Sequence, residues 1–260
     1  MSLKDLAREA CYRLLYAWTG QGQGIRVILL YHSVGGEPPF SIPLNAFEQQ
    51  MELLAERFRI VRLCDLPEAL ANEPLETNIA CVTFDDGYRD NYEVALPILD
   101  RFGIKATFFI TAGFIGKSLR NSFGEHAMMD ARQVEELARE GHEIGAHTIN
   151  HPKLTQVPLE RAWQEIDTSK QFLENLLQRP IHSFAFPKGD YNQAIKSLVQ
   201  KAGFQLAVTI HEAFLETYPD WLALPRVWVN GSISLKGFEA RLSPALMLYR
   251  KWRKQGLGEA

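Results

Sequence analysis

At 260 residues, 46% of them hydrophobic and 23% charged, the chain is long enough to bury one substantial core and too apolar to stay disordered. A formal charge of −3 provides no positive field for nucleic acid over the chain as a whole. The three cysteines, Cys11, Cys64 and Cys81, lie outside any C-x-x-C pattern and imply neither a disulfide framework nor a zinc ribbon.

Leu3, Leu6, Ala7, Ala10, Cys11, Leu14, Leu15 and Trp18 recur at helical spacing, and the glycines from Gly20 stop them, so residues 1–24 read as an amphipathic helix and linker. Charges interrupt the apolar run, which removes the continuous core of a signal peptide and predicts a cytoplasmic location. The apolar face of this helix, with Lys4, Arg8 and Arg13 beside it, is one of two membrane signals. The other is the basic aromatic stretch from Leu246 to Lys254, inside a tail over 241–260. Together they predict peripheral contact with the inner face of a membrane. Packing of both ends against the body of the protein is the competing expectation.

Between the ends, β-rich runs alternate with helical patterns. IRVILLYH is followed by a helix around Phe47 to Phe58, RIVRL by one near Leu66 to Ala71, and IACVTF by one from about Asn91 to Phe102. KATFFI precedes a helix from Asp130 to Glu140, HEIGAH one from Leu159 to Leu177, and HSFAFP one from Asn192 to Ala202; QLAVTI and LALPRVWV complete the series. Such alternation implies parallel strands and right-handed crossovers. Seven or eight units in one domain over 25–240, with no G-x-G-x-x-G after the first strand, suit a β/α barrel better than a doubly wound sheet. In such barrels the chemistry sits where strands end.

Metal-type and acid–base side chains stand at those ends. His32 closes ILLYH, Asp85 and Asp86 close IACVTF, and His147 closes HEIGAH with His151 just beyond it. A carboxylate and two imidazoles leave coordination positions open for water and substrate, as a hydrolytic metal site requires. Long for a connection, the segment Gly113 to Met129 reads as a lid or substrate loop. Tyr88, His126, Asn150, Trp221 and Trp228 are candidates to line a sugar groove, whereas His142 and His182 begin strands and read as structural.

T-F-D-D-G-Y at Thr83 to Tyr88 and H-T-I-N-H at His147 to His151 resemble the two signature motifs of the polysaccharide deacetylases, the NodB-like carbohydrate esterase family 4. The resemblance implies a distorted (β/α)7 barrel and hydrolysis of N-acetyl groups on amino sugars. It makes Asp85 the general base and Asp86, His147 and His151 the ligands of a divalent metal, zinc first, with cobalt, nickel or iron as substitutes. The family's acid is a histidine in a late I-x-L-x-H motif. Here Ile28, Leu30 and His32 carry that pattern at the other end of the chain, similar to the permuted poly-N-acetylglucosamine deacetylases, so His32 rather than His211 takes the role.

The family's third motif, R-x-P-Y-G, departs as well. This chain reads Phe186-Pro187-Lys188-Gly189, so the Lys188 N–H is the candidate oxyanion donor and Arg226 the candidate partner of the base. An N-acetylated sugar or glycan is the implied substrate, free, lipid-linked or nucleotide-linked. A deformylase on the same fold and an inactive glycan-binding barrel are the alternatives.

Overall fold

Ile79–Phe84 is buried along its whole length, as a strand must be when helices cover one face and a filled lumen lies behind the other. The computed structural model describes residues 3–215 and 219–257, with side chains described except at 3–6, 121 and 254–257. The expectations for Leu3, Lys4, Leu6 and Lys254 therefore concern side chains outside the described ones.

Eight strands form one parallel sheet: β1 (Arg26–Tyr31), β2 (Arg59–Ile60), β3 (Ile79–Phe84), β4 (Thr107–Ile110), β5 (Glu143–Ala146), β6 (Ser183–Ala185), β7 (Leu206–Val208) and β8 (Val227–Trp228). Their order is β7–β6–β5–β4–β3–β1–β8, and β2 occupies the lower half of the β3 edge below β4. The two ends of this sheet meet. Ala207 N–H donates to Trp221 O, Leu224 N–H to Ala207 O and Thr209 N–H to Leu224 O, so the chain runs beside β7 before β8 pairs with β1. The ring is the expected distorted (β/α)7 barrel. The expected strand LALPRVWV is regular only over Val227–Trp228, because it crosses from one neighbour to the other and Pro225 has no N–H for a ladder.

Strand periodicity sorts the core into two layers. Ile28, Cys81, Phe109, Ala185, Val208 and Leu224 fill the lumen. Leu29, Val82, Phe84, Phe108, Ile144 and Phe184 face outward under the helices. The lumen is tight: a Cβ on Gly145 would stand 2.5 Å from the ring of Phe109. Its floor is polar, with the Glu143 carboxylate accepting from Thr107 Oγ1, Ser183 Oγ and Cys64 N–H.

Nine α-helices surround the ring: α1 (Leu3–Thr19), α2 (Leu44–Arg57), α3 (Leu66–Asn72), α4 (Leu96–Arg101), α5 (Ala131–Arg139), α6 (Leu159–Leu177), α7 (Gln193–Lys201), α8 (Leu235–Arg241) and α9 (Ala245–Leu257), counted among the described residues. The single helix expected over Asn91 to Phe102 is instead a π turn, Asn91–Ala95, leading into α4. Leu96 N–H bonds to Asn91 O, and Pro97 can give no N–H to an α-helical ladder. Within Gly113 to Met129 the chain forms a hairpin, Ser118–Asn121 against Gly124–Ala127, seated beside Tyr88 through a bridge to Met128.

The two ends of the chain pack on each other. The rings of Tyr12 and Tyr249 stand 4.5 Å apart, and Tyr16 Oη donates to Glu239 Oε1 at 2.7 Å, which ties α1 to α9 and α8. Tyr12 and Leu246 are buried there, while Leu14, Trp18 and Trp252 face outward. Among the described residues no helix is long and apolar enough to cross a membrane.

Candidate active site

Alternation along β3 aims Cys81, Thr83 and Asp85 at the lumen. At Asp86 the chain turns into positive φ (72°), followed by Gly87 at 88°. Aspartate tolerates this left-handed turn through its short polar side chain, and the break in alternation keeps the second carboxylate at the mouth instead of sending it behind the sheet.

The adjacent aspartates have separate partners. Arg226 forks onto Asp85, Nη1 to Oδ1 at 2.7 Å and Nη2 to Oδ2 at 2.6 Å. The rest of the guanidinium is also engaged: Nε donates to Thr209 O at 2.8 Å, Nη1 donates to Thr83 Oγ1 at 3.1 Å, and the group lies 5.6 Å from the centre of the Phe109 ring. Arg226 is 0% exposed and Asp85 3%, so the pair lies largely out of bulk solvent. Burial pushes the Asp85 carboxyl up, but the charge and hydrogen bonds of Arg226 outweigh it and hold the group below the usual carboxylate range.

Asp86 Oδ1 faces His147 Nε2 at 3.4 Å and His151 Nε2 at 3.3 Å. His147 Nδ1 lies 2.8 Å from Ala185 O and donates to it, since a carbonyl can only accept. Burial opposes a charge on this ring, but the hydrogen bond to Asp86 and the charges of Asp85 and Asp86 outweigh it and raise His147 above its ordinary value, so the cation between Nε2 and the carboxylate is either a proton or a metal ion that takes its place. Burial and the neighbouring His147 hold His151 down at about 4, so its ring is neutral near pH 7 and also has a lone pair to give. Asp86 is held well below its ordinary value, burial being outweighed by the hydrogen bond to His147 and by the surrounding imidazoles, which favour its negative charge. Donors placed about 2.0–2.2 Å from one ion in tetrahedral or octahedral geometry stand about 3.0–3.4 Å apart, which is the spacing of Asp86 from each histidine. The three fit a divalent metal with open positions.

The loop carrying the histidines is held from outside. Thr148 and His151 both have positive φ, 65° and 55°. Such a turn needs anchors. Glu165 of α6 supplies them, its buried carboxylate accepting from Ile149 N–H at 3.0 Å, Asn150 N–H at 2.8 Å and Asn150 Nδ2 at 2.8 Å. Thr148 Oγ1 takes the His151 N–H at 3.0 Å. Sequence reasoning missed Glu165, although a signal was there: it interrupts the buried stripe Ala162, Ile166, Ser169, Leu173 with a charge.

His32 stands half-buried at the end of β1, near enough to act electrostatically on both Asp85 and Asp86. His211 is exposed and meets Arg250 Nη2 of α9 at 3.2 Å. Lys188 has a left-handed backbone (φ 57°), and while Gly189 and Asp190 donate to Phe186 O and Pro187 O, its own N–H enters no bond among the described residues.

Of the candidate groove residues, Tyr88 is buried against Phe40 and His126, and Asn150 is turned into Glu165. Trp221 lies beside Cys64 and His182 at the opposite end of the barrel from the metal triad, because it precedes the crossing into β8. Trp228 is exposed at the end of β8. A second convergence of metal-type groups, Asp100, Glu140 and His142, also lies at that far end. There the Ala106 N–H donates to His142 Nδ1, so Nε2 carries the proton and faces Asp100 Oδ1 at 4.0 Å as a donor, with no lone pair for an ion.

The sequence profile of the family described as polysaccharide deacetylase matches residues 72–207. The Bacillus subtilis protein YxkH is 30% identical over 215 residues, 82% of this chain and 74% of its own. A Bacillus cereus peptidoglycan-N-acetylglucosamine deacetylase is 30% identical over 161 residues, 62% of this chain and 65% of its own. Among solved structures, Streptococcus pyogenes deacetylase PplD, in complex with acetate, superposes with a TM-score of 0.74 at 26% identity, over 85% of this chain and 99% of that one.

Removing one partner of a buried pair leaves a charge without a counterion, and Arg226→Met is therefore expected to lower stability by about 3–5 kcal/mol in urea unfolding. Adding Asp85→Asn removes the stranded charge, so the double variant should recover part of that loss. A double variant no more stable than Arg226→Met would show that the two groups are not coupled.

Proposed function

Because this chain belongs to the polysaccharide deacetylase family, hydrolases of non-peptide carbon–nitrogen bonds, we propose that it is a metal-dependent enzyme that removes N-acetyl groups from N-acetylated amino sugars of glycans. The observation that carries this reading is the division between neighbouring aspartates. Asp85 is locked to Arg226, and Asp86 is left to face two imidazoles. The Bacillus cereus relative, named for N-acetylglucosamine of peptidoglycan, supports the choice of sugar.

Asp86, His147 and His151 hold the ion, zinc in this proposal, which when bound polarises the acetyl carbonyl and acidifies water. Asp85 takes the proton of the attacking water. Both of its oxygens are engaged by Arg226, yet each keeps a lone pair outside the fork, and the guanidinium keeps the carboxylate ionised and aimed. The Lys188 N–H donates to the acetyl oxygen as negative charge develops on it. His32 protonates the departing amine as the carbon–nitrogen bond breaks, yielding acetate and a free amino sugar.

The exposed Leu14, Trp18 and Trp252, with Arg13, Lys251 and Arg253 also exposed on the same two helices, support contact with an anionic membrane surface as part of this proposal. In flotation with anionic liposomes the protein should rise at low salt and sink at high salt. Leu14→Glu combined with Trp18→Glu should abolish the rise, and an unchanged rise would remove the contact.

The direct test measures acetate released from N-acetylglucosamine oligomers, together with metal content. Asp85→Asn should retain the metal and lose about 100- to 10,000-fold in rate, because an amide cannot accept the water's proton. Asp86→Asn should lose both metal and activity; equal metal loss in the two variants would overturn the division of roles.

His32→Ala should impair N-acetyl hydrolysis far more than hydrolysis of an activated acetate ester, whose leaving group needs no proton. If His211→Ala were the more damaging on the sugar, the acid would be the other histidine.

A further inference from the structure

His32 sits where the sheet stops holding its strand. The last ladder contacts of β1 are Tyr31 O with Asp85 N–H and Leu30 O with Val229 N–H, so the His32 carbonyl is the first beyond them. Its partner is a side chain. Asn91, 0% exposed, donates from Nδ2 to His32 O at 2.6 Å and from the same nitrogen to Asp90 Oδ1 at 2.9 Å. The reverse orientation of the amide would set its oxygen against two acceptors, so the direction of the clamp is determined. Asp90 grips the next two residues, accepting from Ser33 Oγ at 2.5 Å and from Val34 N–H at 3.2 Å. Both clamp residues stand where the chain leaves the aspartate loop: Asn91 N–H bonds to Tyr88 O, and Asn91 opens the π turn.

We propose that Asn91 and Asp90 are positioning residues for His32, fixing the backbone that aims the imidazole at the departing amine. The inference rests on the reading of His32 as the acid. Neither residue touches the metal triad or the Asp85–Arg226 fork in the structure, so their effect should be confined to the step that needs His32. A displacement of about 1 Å in a catalytic group can lower a rate about 100-fold.

The experiment compares the wild type, Asn91→Ala, His32→Ala and the double variant on an N-acetylglucosamine oligomer and on an activated acetate ester, with metal content measured for each. Asn91→Ala is expected to retain the metal, to lose about 10- to 100-fold in kcat on the oligomer, and to lose less than about threefold on the ester. Added to His32→Ala it should reduce oligomer hydrolysis no further, because the acid it positions is gone. A loss that is equal on both substrates, or that multiplies with His32→Ala, would mean that Asn91 only supports folding and would overturn the inference while leaving His32 as the acid. If His32→Ala itself hit both substrates alike, the reading of His32 would fail first. Asn91→Asp, which keeps the shape but places an acceptor against His32 O, serves where the alanine variant does not fold, with the same outcomes deciding.

Discussion

Two carboxylates at the mouth of one barrel cannot both remain ionised without two positive partners, and the rest of the site follows from how those partners are shared. Arg226 neutralises Asp85 through two short hydrogen bonds behind the mouth of the barrel. The planar guanidinium presents paired N–H donors that match both carboxylate oxygens at once. Asp86 is left facing two imidazoles whose lone pairs are the natural complement of a divalent ion. Neighbours in sequence thereby acquire different environments, and under the proposed mechanism this separates a base from a ligand within one dipeptide.

That arrangement depends on the ring closing. Arg226 follows the stretch that pairs with β7 and precedes the strand that pairs with β1, so its side chain reaches Asp85 only because the barrel completes its circuit there. Closure and site formation are therefore coupled. Breaking the fork would strand a charge beneath the mouth, and opening the ring would withdraw the guanidinium from the carboxylate.

Around this centre the fold supplies a layer of anchors behind the candidate functional side chains. Glu165 ties down the turn bearing His151, the Ala185 carbonyl sets the tautomer of His147, and Asn91 with Asp90 holds the strand end of His32. Each spends a buried polar group on the backbone or ring that carries a functional side chain. Hydrogen-bonded supports of this kind fix the orientation of the side chains they carry.

Much of this was legible in the linear chain. Strand periodicity, the repeated alternation with helices and the strand-end placement of His32, Asp85, Asp86, His147 and His151 determine the barrel and the candidate ligands, since those signals are local and repeat every few residues. The two motifs made the family recognisable, and the family profile spans 72–207 without either His32 or Arg226. Those two converge on Asp85 from opposite ends of the chain, Arg226 being 141 residues away from it. The permuted motif singled out His32 and the strand-end position Arg226, but local pattern alone cannot report that they meet. It equally cannot tell that Trp221 lies at the far end of the barrel, that Pro97 widens a helix into the π turn bearing Asn91, or that a charge in the buried stripe of α6 reaches the histidine loop. These were decided by tertiary structure, because a buried polar group takes whichever partner the closed fold brings within hydrogen-bond reach, and sequence separation has no part in that choice.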